Sequence, residues 1–214
     1  MGLLLIGGGG HAKVLIDALQ TLRANLLGVV DPGLSAGTGN GPLGLDVLGG
    51  DDVIKDYDPQ NTWLVNGIGS MPGDKGVRSE LFLRYKQMGY RFATVVHPAA
   101  TVSEHAILDE GVQVMAGVVI QAGVRLGENT IINSGALVDH DCDIGRHCHL
   151  APRSCLSGAV HVAEQTHIGV GATVIQGVRI GSQAVIGAGA IVVRDVDDNS
   201  TVRMASAAKT IEVG

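Results

Sequence analysis

The sequence predicts an α/β domain, half of a dinucleotide-binding fold, followed by an all-β parallel solenoid. Two observations carry that reading. From Val102 in steps of six (Val102, Leu108, Val114, Ile120 and onward to Ile180, Ile186 and Val192) every position is aliphatic without exception. Ahead of this series, Leu3-Leu4-Leu5-Ile6 is followed by the glycine string Gly7-Gly8-Gly9-Gly10-His11-Ala12 and then by helically spaced Val14, Leu15, Ala18, Leu19 and Leu22.

A period of six fits neither an α-helix nor a two-residue alternation, so it marks a structural repeat. Two residues before each aliphatic stands only Ala, Val, Thr, Cys or Ser, on the same face of a short strand. Glycine recurs three residues after the aliphatic (Gly111, Gly117, Gly123, Gly135, Gly171, Gly177, Gly189), where a turn needs a left-handed backbone. The pattern over residues 96–192 resembles the hexapeptide-repeat acyltransferases. That resemblance implies a left-handed parallel β-helix of triangular section with three hexads per coil. The same fold also carries carbonic anhydrases, so it does not fix the chemistry by itself.

The N-terminal elements follow in order. Leu3–Ile6 reads as a buried parallel strand, the glycine string as a turn, and the next dozen residues as a helix. The spacing Gly7-x-Gly9-x-x-Ala12 matches the dinucleotide-binding fingerprint, in which amides at a helix N-terminus face a pyrophosphate. Leu26–Val30 is a second strand ending in Asp31-Pro32, where an acidic residue meets a ribose. Trp63–Asn66 is a third strand leading into Gly67-Ile68-Gly69, a helix spans residues 75–88, and Arg91–Val95 is a fourth strand. About three βα units leave room for one nucleoside diphosphate and none for a nicotinamide. Asp31–Gly44 reads as a Gly-, Ser- and Pro-rich loop. His97-Pro98 marks the hand-over, giving domains 1–95 and 96–194 and a tail 195–214.

Composition narrows the function classes. The chain has 214 residues, 32 Gly, few aromatics and a net charge of −6, which suits a narrow solenoid and gives no reason to expect nucleic acid as a partner. No apolar run approaches the ~20 residues that span a bilayer, and the N-terminus lacks the basic start of a signal peptide. A cytoplasmic protein without a membrane partner is expected. Cys142, Cys148 and Cys155 lack metal-knuckle spacing and read as core filler.

Together, Gly7 to Val14, the acidic residue after the second strand and Val138-Asp139-His140-Asp141-Cys142 resemble the sialic-acid O-acetyltransferase-like sugar acyltransferases. Within that group the chain is most similar to N-acetyltransferases of nucleotide-linked 4-amino-6-deoxy sugars. One departure is Ala205-Ser206-Ala207-Ala208-Lys209, where such proteins carry Gly-Val-Pro-Ala-Lys. The resemblance implies His140 as catalytic base, tuned by the acidic Asp141, with His149 touching acetyl-CoA and Val170 and Ala188 presenting backbone groups to its pantetheine arm. His167, one coil after His149, either shares that contact or packs in the turn.

The residues themselves agree with these roles. A histidine titrates near working pH and suits proton removal from an attacking amine or hydroxyl. Gly158 follows His140 by eighteen residues and stacks one coil above it, where its amide can meet a thioester oxyanion. Gly9, Gly10 and His11 are expected to cradle a diphosphate, with Asp31 and Pro32 near base or ribose and Gly67, Ile68 and Gly69 closing the pocket. A purely structural strand-turn-helix would also use these glycines. His105, His147 and His161 read as surface or turn histidines. No two histidines here are five apart, so the three-histidine zinc site of the solenoid carbonic anhydrases is not expected and no metal is assigned.

The expected reaction is acetyl transfer from acetyl-CoA to the 4-amino group of a nucleotide-linked amino sugar by direct attack, in a homotrimer with sites between subunits. O-acetylation of sialic acid or another sugar hydroxyl is the second reading, and a non-catalytic nucleotide-sensing trimer the third.

Overall fold

The computed structural model describes residues 1–72 and 76–204. Ala205–Lys209, where the C-terminal departure falls, lies outside the described residues, as does Lys75 at the expected start of the second helix.

The N-terminal domain is a five-stranded parallel sheet ordered β3-β2-β1-β4-β5. Its elements are β1 (Gly2–Ile6), α1 (Gly10–Thr21), β2 (Leu26–Val30), β3 (Val47–Gly49), β4 (Thr62–Asn66), α2 (Val77–Gln87) and β5 (Arg91–Phe92). Leu4, Leu5 and Ile6 of the central strand are essentially unexposed, each contributing roughly 1.5–3 kcal/mol by burial. Ala12, Leu15, Ile16 and Leu19 turn one face of α1 into a shared core with Val95 and Met115 of the solenoid. Phe82 and Tyr85 of α2 pack on the opposite side of the sheet with Tyr90 and Phe92.

Two boundaries differ from the sequence reading. β3 was expected as part of no strand; it is a three-residue edge bridged to Gly37 within a glycine-rich stretch, too short to show a period. The strand expected over Arg91–Val95 is two strands. Ala93 N–H still donates to Leu64 O, but Val95 N–H donates to Val112 O, so the chain changes sheets between them.

From Val95 onward the chain winds as a left-handed β-helix of two-residue strands forming three parallel sheets. The first face holds seven strands, from Val95–Val96 through His149–Leu150 and His167–Ile168 to Thr201–Val202. The second face, Thr101–Val102 to Ile191–Val192, has six, and the third, Ile107–Leu108 to Arg179–Ile180, has five. Strands eighteen residues apart pair in register, as Leu137 with Cys155 and His149 with His167. The inward aliphatics from Val114 to Val192 are buried, with Ala136, Cys142, Cys148, Ala172 and Ala184 between them. All seven predicted turn glycines have φ between 64° and 77°. Thr201–Val202 adds a last strand to the first face within the segment 195–214.

The N-terminal domain sits on the first face and on the edge where the third face turns into it. Gln113, Asn129, His147 and His149 all bond to or pack against it there.

Candidate active site

His140 lies on the turn between Leu137–Val138 and Asp143–Ile144, the edge joining the second and third faces. Its side chain is 61% exposed. Nδ1 stands 2.9 Å from Asp141 Oδ2; a carboxylate only accepts, so Nδ1 carries the proton and Nε2 presents a lone pair. Asp139 is bonded to the His140 amide at 2.8 Å. The Asp141 bond, and then the Asp139 charge, raise the imidazole above its ordinary range.

The ring lies across Gly158. A Cβ there would come within 2.5 Å of His140 Nε2, so only glycine leaves the imidazole this seat. Gly158 is buried, and its N–H makes no backbone hydrogen bond with any described residue, while the flanking Ala159 N–H bonds His140 O at 2.9 Å. A buried amide beside a basic nitrogen is the arrangement an oxyanion requires. On the other side, Gly123 leaves space for Asp141, whose Oδ1 a Cβ there would meet.

As a base, His140 works only when neutral, so turnover should fall as pH drops through its raised pKa. Asp141→Asn removes the main cause of the rise. Its acid limb should move to lower pH, with the plateau down roughly tenfold or more from weaker basicity and a freer tautomer. A pH–rate profile identical to the original would remove Asp141 from this role.

A second cluster forms where the domains meet. Gly9, at φ −75° with no neighbour within 4 Å of a Cβ, caps α1, and Gly9 and Gly10 are exposed. Asp31 braces this turn from below, accepting from Gly8 N–H through one oxygen and from Gly33 N–H through the other, both at 2.7 Å. The carboxylate expected beside a ribose thus already holds the glycine turn, and Pro32 next to it is exposed. Gly67 is buried against the strand ends; a Cβ would meet Ile6 O at 2.7 Å and Gly7 O at 2.9 Å. Ile68 and Gly69 follow, half-buried, and Gly69 faces His11 Cβ.

His11 Nε2 is 2.8 Å from Gln113 Oε1. Because Gln113 Nε2 donates to Asn66 O, its oxygen faces His11, which carries its proton on Nε2 and keeps Nδ1 as an acceptor. Burial, then Arg78, push this imidazole down to about 4. It is therefore a neutral group of fixed polarity beside the glycine turn, rather than a cation.

His149 is buried; its Nδ1–H donates to Ser70 O at 2.8 Å and its Nε2 accepts from Asn133. Burial, then His167, lower it to about 4. His167 stacks edge-on at 4.9 Å. Val170 and Ala188, one coil apart and exposed, mark the edge between the first and second faces, where Gly171 leaves open space. A long extended arm fits such an edge.

The structure thus brings Gly9, His11, Gly67, Ile68 and Gly69 together near His149, with His167 stacked on His149. It leaves His140, Asp141 and Gly158 on the edge opposite the face that carries this cluster. Gln113, Asn66, Asn133 and Arg78 are polar partners the sequence reading did not find. His147, read as a turn histidine, occupies a left-handed turn but is half-buried against Phe82 and Asn129. Among the described residues no three His, Cys, Asp or Glu gather as a metal site, and no helix is long and apolar enough to cross a membrane.

Comparison with known proteins places both parts of the chain in a family. Residues 2–83 match the family described as PglD N-terminal domain, and residues 105–140 match bacterial transferase hexapeptide (six repeats). The curated GDP-perosamine N-acetyltransferase of Escherichia coli O157:H7 is 33% identical over 84 residues, a stretch that spans 38% of that protein. Solved structures cover far more. PerB from Caulobacter crescentus, in complex with CoA and GDP-perosamine, is 41% identical over 94% of this chain and 93% of its own, with a TM-score of 0.84. A histidine-to-asparagine variant of the Caulobacter perosamine N-acetyltransferase, also with CoA and GDP-perosamine, is 40% identical and covers 94% and 92%, at a TM-score of 0.86. The acetyltransferase domain of PglB from Neisseria gonorrhoeae, in complex with acetyl coenzyme A, is 31% identical and covers 94% of both chains at a TM-score of 0.86. With matches in both halves and 94% of the chain shared with these acetyltransferases, this chain belongs to the hexapeptide-repeat sugar acetyltransferases that carry a PglD-type N-terminal domain.

Proposed function

We propose that the chain transfers the acetyl group of acetyl-CoA to the 4-amino group of an amino-deoxy sugar carried on a nucleoside diphosphate. The observation that carries this reading is the His140 imidazole, its Nδ1–H held by Asp141 and its Nε2 open above the buried Gly158 amide. GDP-perosamine and CoA in the Caulobacter complexes support the substrate classes.

In the proposed step His140 Nε2 accepts a proton from the acceptor amine as its nitrogen attacks the thioester carbonyl, and the Gly158 N–H meets the oxyanion. Collapse expels the CoA sulfur, which takes the proton back from Nε2. No covalent acetyl-enzyme is needed. Gly9, Gly10 and the α1 N-terminus hold the diphosphate, where aligned amides favour anions. His149, His167, Val170 and Ala188 lie along the acetyl-CoA side.

Geometry favours an assembly. The nucleotide cradle sits on the first face of the prism, whereas His140 projects from the edge joining the other two. One protomer therefore cannot bring its own cradle to its own base, and a neighbour in a closed ring, a homotrimer in this reading, completes the site.

The test compares a nucleotide-linked 4-amino sugar, the free amino sugar and free sialic acid as acceptors, with the unaltered protein and with Gly9→Val. A Val at this open position lets the chain fold but blocks phosphate approach. Turnover should need the nucleotide handle, and Gly9→Val should lose at least about tenfold in kcat/KM, because remote binding energy is used in the transition state. Equal rates on free and linked sugars, with Gly9→Val unimpaired, would favour O-acetylation of a sugar hydroxyl instead.

A further inference from the structure

Arg78, at the start of α2, is 6% exposed, and among the described residues no carboxylate pairs with it. Its guanidinium is instead surrounded by backbone carbonyls. Nη1 donates to Asn66 O at 2.8 Å and to Ile68 O at 2.6 Å, while Nε and Nη2 both reach Asn129 O at 3.3 Å. Asn66 and Ile68 bracket Gly67 in the segment leaving β4; Asn129 sits on a solenoid turn. Asn66 adds a parallel link, its Nδ2 donating to Asn129 Oδ1 at 3.2 Å and to Arg78 O at 3.0 Å.

Burying a cation without a counter-charge is costly, and an apolar side chain of similar volume would fill the space at lower cost. What an apolar side chain lacks is a planar fork able to bind three carbonyls from two domains at once. One of those carbonyls, Asn66 O, also accepts from Gln113, which orients His11. The same guanidinium contributes to holding His11 and His149 neutral. The bonds of Arg78 thus tie the segment that closes the acceptor cradle to the solenoid turn at Asn129.

We propose that Arg78 is a positioning residue: it clamps the Gly67-Ile68-Gly69 segment to the solenoid and so sets where the nucleotide-linked acceptor is held. The proposal rests on the acetyl-transfer reading for its substrate and on the carbonyl clamp for its mechanics, and the two are separable by experiment.

Full-length protein, Arg78→Lys and Arg78→Met are compared by thermal unfolding, by amide hydrogen exchange, and by steady-state kinetics with GDP-perosamine and acetyl-CoA well below the melting point. The clamp predicts faster exchange in residues 66–72 of both variants, with exchange in the coils beyond residue 160 unchanged. It predicts a KM for the nucleotide sugar raised roughly tenfold or more in Arg78→Lys, which keeps the charge but loses the fork, since small displacements of a binding segment cost this much. The KM for acetyl-CoA should rise less than that for the nucleotide sugar, because, of its proposed contacts, His149 is the one bonded to this segment, through Ser70 O. A residue that only stabilised the fold would lower the melting temperature and leave that KM difference absent. Unchanged exchange in residues 66–72 of folded variants overturns the clamp. Faster exchange with an unchanged acceptor KM overturns its role in positioning substrate. Should the unaltered protein acetylate no nucleotide-linked sugar, the acetyl-transfer reading and this substrate-positioning role fall together, while exchange still decides whether Arg78 holds the segment.

Discussion

His140→Ala should lower kcat by roughly 10²–10⁴, the usual worth of a positioned general base, with both substrates still bound. The side chain is exposed and among the described residues its side-chain hydrogen-bond partner is the adjacent Asp141, so its removal leaves the solenoid core untouched. Stability should change by no more than about 0.5 kcal/mol, as for other surface substitutions. This separates chemistry from folding. Calorimetric titration with acetyl-CoA and with the nucleotide sugar, beside single-turnover rates, checks it. Near-normal turnover from a folded His140→Ala protein would remove His140 from the chemical step.

Gly158→Ala should be almost as damaging, by a different route. The added methyl would stand 2.5 Å from His140 Nε2 and 2.6 Å from Cε1. Since the exposed ring is the softer partner, it swings away, and the bond from Nδ1 to Asp141 is lost with it. A misplacement of this size costs on the order of 10²-fold in turnover. The melting temperature should barely change, because the ring has open solvent to move into. The imidazole proton resonances of His140 should shift toward those of an unpaired histidine. A Gly158→Ala protein with normal kcat would show that the ring seat is not used.

How much of this was readable from the sequence depends on how local each cause is. The solenoid is local: one inward aliphatic per hexad and one left-handed turn residue suffice to write it. Even where glycine is replaced, as by Asn129, Asp141, His147 and Arg153, the turn keeps φ near 58°. The glycine-rich strand-turn-helix was equally legible. β3 was not, because three residues in a glycine-rich stretch carry no period and are recruited by an edge. The division of Arg91–Val95 was hidden too, since both halves are extended and only the choice of partner differs.

For the site, the histidine followed by Asp141 could be picked out by chemistry, and resemblance to sugar acyltransferases sharpened it. The junction could not. Gln113 is fully buried on a solenoid face that hexad periodicity leaves outward, and it is covered only because another domain lands there. Arg78 opens an ordinary helix in sequence, and its three carbonyl partners come from places 10, 12 and 51 residues away. The neutrality of His11 and His149 follows from the same burial. A cation at either position would have been the natural reading of a phosphate-facing histidine.

A cradle from one chain should serve the His140 of another. His140→Ala and Gly9→Val chains, each impaired alone, can be co-expressed with different affinity tags and the hybrid assemblies purified. If the site spans two subunits, a His140→Ala chain supplies an intact cradle to the intact base of a neighbouring Gly9→Val chain, and about a third of the sites in each trimer that contains both chains are restored. Hybrids showing that fraction of normal kcat/KM on a nucleotide-linked amino sugar are the predicted result. Hybrids no more active than the Gly9→Val parent, in assemblies proven to contain both chains, would contradict it.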